Sequence, residues 1–203
     1  MLDSLGRSDR GQAFTLEGFS AGLVILASLL FALQATAVTP LTASTSSQHI
    51  ENQLDASASG ILAGATENES VRGTLLYWNS SEPGHWYADY QGAYSLGGPP
   101  TDLGRTLNET FLERGIAFNL NAYYVVNGQR QRHQIVDFGT PSDNAVSAGR
   151  TVVLYDDDRL LAPDGTPTGE TLVGTDSFYV GSDTEPDSGV YAVVELEVVA
   201  WRM

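Results

Sequence analysis

The chain has 203 residues, 42% of them hydrophobic, which is enough for one cored domain plus an anchor or tail and excludes wholesale disorder. Its 25 acidic residues face ten basic ones, all Arg, for a net charge of −15, and that balance excludes a nucleic-acid partner: phosphate neutralisation needs clustered cations, and only Arg130 and Arg132 come near one. The absence of Cys and Lys excludes disulfide frameworks, thiolate zinc sites, cysteine nucleophiles, Schiff-base chemistry and the P-loop lysine.

Self-repulsion at this charge is tolerable where salt shortens the Debye length to roughly 3 Å at 1 M, so the composition reads as salt-adapted and halophilic. Residues 18–38 form a run of 21 without a charge, 15 of them apolar. At about 1.5 Å per residue a helix of that length is roughly 30 Å long and crosses a bilayer. A helix buried in a globular core rarely runs so far without a polar face, and a cleaved secretory signal has a shorter apolar region. Arg7 and Arg10 precede the run and the next Arg is Arg72, so the positive-inside bias places the N-terminus in the cytoplasm and the C-terminal part outside.

Pro40 marks the end of the apolar run, and residues 41–47 are rich in Ser and Thr, as at a membrane exit. Ile50, Leu54, Ala58, Ile61, Leu62 and Ala65 then recur at spacings of three and four, predicting an amphipathic helix over residues 48–65 whose stripe needs a partner surface. An aromatic segment follows (Tyr77, Trp78, Trp86, Tyr87, Tyr90, Tyr94), readable as core or as display surface. After Gly97-Gly98-Pro99-Pro100, the residues Leu103, Leu107 and Phe111 predict a short helix capped by Gly115.

From Ile116 the pattern has period two through Val126, and Asn127-Gly128 is a strong hairpin signal, with residues 129–138 as the return strand. Residues 151–155 predict a third strand and residues 172–180 another, interrupted at Gly174. In the last strand Val190, Ala192, Val194, Leu196, Val198 and Ala200 face one way, while Glu195 and Glu197 face the other. Short Gly- and Pro-rich links without helical crossovers predict an antiparallel sheet covered by the helix that follows the membrane run. The fold class expected is α+β: residues 1–11 a cytoplasmic leader, 12–40 a transmembrane helix, 41–66 a juxtamembrane amphipathic helix and 67–203 an extracytoplasmic sheet domain.

The entry to the apolar run, Ser8-Asp9-Arg10-Gly11-Gln12-Ala13-Phe14-Thr15-Leu16-Glu17, resembles the class III leader of type IV prepilins and archaellins. The resemblance implies that Arg10 and Gly11 end a leader cut by prepilin peptidase on the cytoplasmic side and that Gln12 opens the mature chain. It also implies that the helix from Phe14 onward serves as both anchor and packing surface among other pilin-like subunits. Glu17 is the sixth residue counted from Gln12, one later than the glutamate of bacterial pilins, and Phe14 stands where archaellins carry Gly. A carboxylate within hydrocarbon is costly and is usually retained for a partner; a free amine at Gln12 of a neighbouring subunit is one such partner, while a position at the interface near the positive helix end requires none.

Gly18-Phe19-Ser20-Ala21-Gly22 matches both the nucleophile elbow and the small-residue helix-packing pattern. A serine inside a membrane span has no strand-to-helix turn to sit on, so Gly18 and Gly22 are candidates for helix assembly. Asp156-Asp157-Asp158 and the stretch from Asp183 to Gly189 lack the EF-hand pattern, since Gly189 falls at the seventh position and Val194 at the twelfth; they read as solvated turns. His49, His85 and His133 have no metal-binding spacing, so no metal or cofactor is expected. Asn68, Asn79 and Asn108 open three N-glycosylation sequons. No cluster of nucleophile, base and orienting group emerges, so neither an enzyme nor a small-molecule substrate is expected. The function expected is a pilin-like or pseudopilin-like subunit of a surface filament or secretion assembly, held in membrane lipid; the alternative is an extracellular binding or accessory domain on an uncleaved signal anchor.

Overall fold

The computed structural model describes residues 5–81, 84–88 and 92–203, with the side chains of residues 5–13 and 35–47 outside that description. Two compact units are present, Met1–His49 and Ile50–Met203. The helix α1, Leu5–Glu67, contributes to both. Its backbone stays helical through Pro40 and residues 41–47, where the sequence predicts a membrane exit. Pro40 removes one backbone donor, and the flanking turns keep α geometry.

The second unit is α+β. In its part of α1, Leu54, Ala58, Leu62 and Ala65 are buried, while Asn52, Gln53 and Asp55 on the other faces are exposed, as the three-four spacing demands. The short helix α2, Ser70–Leu75, follows Glu69, whose φ of 62° is left-handed. Thr74 on α2 donates or accepts a 2.7 Å hydrogen bond with Thr101, whose hydroxyl also accepts from the Gly104 amide and so caps α3, Asp102–Thr110. The strands β1, Trp78–Asn79, and β2, His85–Trp86, pair as a two-residue ribbon between α2 and α3. After α3 a 3-10 turn, Leu112–Arg114, ends at Gly115 with φ 71°, so the expected glycine cap closes this extra turn.

The main sheet holds β3 (Ile116–Val126), β4 (Gln129–Val136), β5 (Val146–Tyr155) and β8 (Val190–Arg202), antiparallel throughout in the order β4-β3-β8-β5. A small hairpin of β6 (Arg159–Leu161) and β7 (Pro167–Thr171) lies between β5 and β8 in the chain. Asn127 and Gly128, with φ of 52° and 75°, make the tight turn whose twist matches its strands. On one face of the sheet Phe118, Leu120 and Ala122 of β3 meet Val198 and Leu196 of β8, and Val152 and Leu154 of β5 continue the layer. These residues and the α1 stripe belong to one apolar cluster, so the helix covers the sheet as expected.

The strand expected over residues 172–180 does not form. Leu172–Gly174 is a 3-10 turn, and the following residues carry no ladder. Their polar backbone is satisfied by side chains instead: the Ser177 carbonyl accepts from Trp78 Nε1 at 2.8 Å and the Tyr179 carbonyl from the Tyr124 hydroxyl at 2.6 Å. Phe178, Tyr179 and Val180 are thus buried without pairing as a strand. Their aromatic partners are Trp78 and Trp86, stacked edge to face at 4.9 Å, with Trp86 donating to the Gln134 carbonyl at 3.0 Å. At 1% exposure Trp86 is core, which answers the display-surface alternative for this residue.

Candidate functional site

The first unit presents one helical stretch, Phe14–Gln34, that is 21 residues long and apolar enough to cross a membrane. Eleven large apolar side chains on it, from Phe14 to Leu33, are each more than half exposed within the chain. They surround the helix rather than forming a stripe, so no single face can be hidden by folding against one neighbour. Removing that surface from water is worth on the order of 20 kcal/mol at roughly 1.5–3 kcal/mol per large side chain. The two serines of the stretch return their hydroxyls to the helix: Ser20 Oγ donates to the Leu16 carbonyl at 2.6 Å and Ser28 Oγ to the Val24 carbonyl at 2.7 Å. Ser20 is therefore a satisfied helix residue, not a nucleophile on a turn.

Gly18 and Gly22 lie one turn apart with nothing within 4 Å of where a Cβ would stand, leaving a shallow notch along the helix. Glu17, the only charged residue of the stretch, is exposed, and its carboxylate makes no ion pair or hydrogen bond among the described residues. Arg10, Gly11 and Gln12 fall within the helical backbone at the start of α1, and their side chains lie outside the described residues. A glycine inside a helix costs about 1 kcal/mol relative to alanine, so Gly11 is a local weak point of that turn.

The sequons differ in accessibility. Asn68 is exposed at the turn between α1 and α2, where its Oδ1 accepts from the Ser70 amide at 3.1 Å. Asn79 is half-buried against His85 Nε2, 3.3 Å away, and Asn108 is half-buried with its Oδ1 holding the Gly98 amide at 2.8 Å.

The acidic turns do not converge on an ion: among the described residues no group of three or more His, Asp or Glu is arranged to hold a metal. Asp158 caps the Tyr155 amide and pairs with Arg72 at 3.3 Å. Burial first, and then the charges of Asp183 and Asp157, push the Asp156 carboxyl above its usual range. Burial, followed by Asp183, Asp176 and Asp156, raises the Tyr191 phenol to about 12.

His133 is half-buried beside the rings of Trp78, Trp86 and Tyr179, and burial holds its imidazole below the ordinary 6.5. A base whose folded value is depressed contributes stability that is complete above the unfolded value and is lost as pH falls through the folded one. The thermal midpoint is accordingly expected to drop as the pH is lowered below the ordinary 6.5, and to drop less in His133→Gln. Equal slopes for the two proteins would remove His133 as the cause.

Sequence reasoning missed the contrast between the two ends of the sheet. At one end, the β3–β4 turn and the loop from Ser182 to Pro186 bound a groove of about 580 Å³ with valine floor and acidic rim. At the other, the start of β3 and the end of β8 bound a smaller groove of about 150 Å³ carrying Arg114 and Arg202. No single motif brings either set together, since helix, strand-end and loop residues far apart in the chain meet there only in the folded unit.

No curated protein and no solved structure matches this chain. One family model does, over residues 10–200, thus taking in the glycine junction, the apolar helix and nearly all of the sheet unit. The chain belongs to that family, described as a family of unknown function (DUF7288).

Proposed function

We propose that this chain is a membrane-anchored, pilin-like or pseudopilin-like structural subunit of a cell-surface filament or secretion assembly. The observation that carries the reading is the Phe14–Gln34 helix, apolar on every side and entered through Arg10-Gly11-Gln12. An anchor alone requires only length and hydropathy. The junction, the lone carboxylate of Glu17 and the Gly18/Gly22 notch are features that a subunit packing helix to helix uses and a plain anchor does not. The Arg7 and Arg10 flank supports an inside N-terminus, and the acidic, Lys-free sheet unit suits a salty exterior. Partners on this reading are membrane lipid, other copies or pilin-like chains, and the prepilin peptidase that removes the leader.

The test is the mass of the mature protein purified from its native membrane. A chain beginning at Gln12, together with loss of that processing in Gly11→Val, is the expected result, and an exposed Asn68 is the sequon expected to carry any added sugar mass. A chain that retains Gly11, with Gly11→Val behaving identically, leaves the alternative of an uncleaved anchor bearing a binding or accessory domain.

A further inference from the structure

We propose that the sheet units of neighbouring copies bind head to tail, the acidic groove at one end of the sheet receiving the arginine groove at the other end of the next copy. This deepens the filament reading and rests on it for the gathering of copies in one membrane.

The arginines single out the end that is received. Arg72 pairs with Glu69 and Asp158, Arg105 with Asp102, and Arg130 with Glu195. Arg150 donates to the carbonyls of Gly149 and Ser59, Arg159 donates to that of Thr168, and Arg132 stands against the Tyr123 hydroxyl. Arg114 and Arg202, both exposed, form no ion pair among the described residues, although the chain carries 25 carboxylates. Glu113 sits beside Arg114 without pairing to either guanidinium, and Glu51 is engaged by the Asn144 amide. In a chain of this charge, two unpaired cations over an apolar floor of Ile50, Leu54, Phe111 and Ile116 form a surface complementary to a carboxylate-bearing loop.

Such a loop exists on the same molecule. Asp183 and Glu185 rim a floor of Val125, Val126 and Val193, with Val125 and Val193 about half exposed. The two grooves stand at opposite ends of β3, whose 11 residues span roughly 30 Å at about 3.3 Å each, so neither can satisfy the other within one copy. Contact between different patches of identical chains is heterologous, and when its rotation does not close it propagates as a filament. Apolar floors on both sides keep the contact effective in salt that screens longer-range attraction.

The chain has no cysteine, which makes the test clean. Gln53→Cys and Pro186→Cys place one thiol at each groove, at exposed positions that leave all four charges intact. A disulfide requires Cα atoms within about 7 Å, so the two thiols of one copy cannot meet. Oxidation of the full chain in its membrane is expected to give a ladder of dimers, trimers and longer species from the double-cysteine chain and monomer from either single one. The ladder is expected to vanish with Arg114→Glu plus Arg202→Glu, to vanish with Asp183→Arg plus Glu185→Arg, and to return when the two charge variants are expressed together.

A dimer from either single-cysteine chain would reveal a two-fold contact and overturn the proposal, as would a ladder indifferent to both charge reversals. Monomer from the double-cysteine chain overturns it too, whether lipid phosphate or another protein fills the arginine groove. If filaments of chains beginning at Gln12 persist in that case, the filament reading stands without this contact. A ladder from chains that retain Gly11 keeps the contact and removes the leader reading.

Discussion

Replacing Leu26 and Leu29 with Asp is expected to move the full chain from the membrane fraction to the soluble fraction. Both side chains are more than half exposed on the Phe14–Gln34 helix, so no other described part of the chain covers them. An Asp near the middle of a spanning helix costs roughly 2.5–3.5 kcal/mol, and each lost Leu forfeits a further few tenths, so the pair removes about 6 kcal/mol of insertion free energy. That is a change of more than four decades in the partition between membrane and water. Fractionation of cells making the double variant, alongside the isosteric Leu26→Met and Leu29→Met control, reads the result directly. Retention of the Asp variant in washed membranes would mean that this helix is not the anchor.

The second large effect concerns the sheet unit. Trp86→Ala is expected to cost about 3–5 kcal/mol, a sizeable part of the roughly 5–15 kcal/mol by which domains are stable. Trp86 is 1% exposed, stacks on Trp78, and donates to the Gln134 carbonyl. Truncation therefore opens a cavity between the aromatic ribbon and β4 and leaves the half-buried Gln134 carbonyl without this donor. Val125→Ala, at a half-exposed position on the sheet's other face, is expected to change stability by no more than about 0.5 kcal/mol. Denaturant melts of the detergent-solubilised chain, followed by tryptophan emission, compare the two. A Trp86→Ala loss below about 1 kcal/mol would show that the ribbon is peripheral rather than core.

The legible features were those whose energetics are local. The 11 residues of β3 and the turn at Asn127-Gly128 appear where period-two alternation and a left-handed dipeptide put them. The α1 stripe from Leu54 to Ala65 is buried because three-four spacing sets one helix face regardless of what covers it. Residues 172–180 misled because Leu172, Phe178, Tyr179 and Val180 have strand-like composition, whereas their backbone partners, Trp78 and Tyr124, lie some 50 to 100 positions away. β5 begins five residues earlier than its apolar run, since Val146 to Arg150 gain strand geometry from pairing with Ala200 to Leu196.

The candidate sites divide along the same line. The sequence by itself determined the apolar span, its glycine junction, its lone Glu17 and the acidic, Lys-free character of the rest, because transfer free energy and charge are properties of composition. Tertiary structure alone decided the strand order β4-β3-β8-β5, the burial of Trp86, the exposure that separates Asn68 from Asn79 and Asn108, and the gathering of Arg114 with Arg202 opposite Asp183 with Glu185. Those depend on which distant strands share a ladder, and pairing energy between residues far apart in the chain leaves no mark on the pattern of either segment alone.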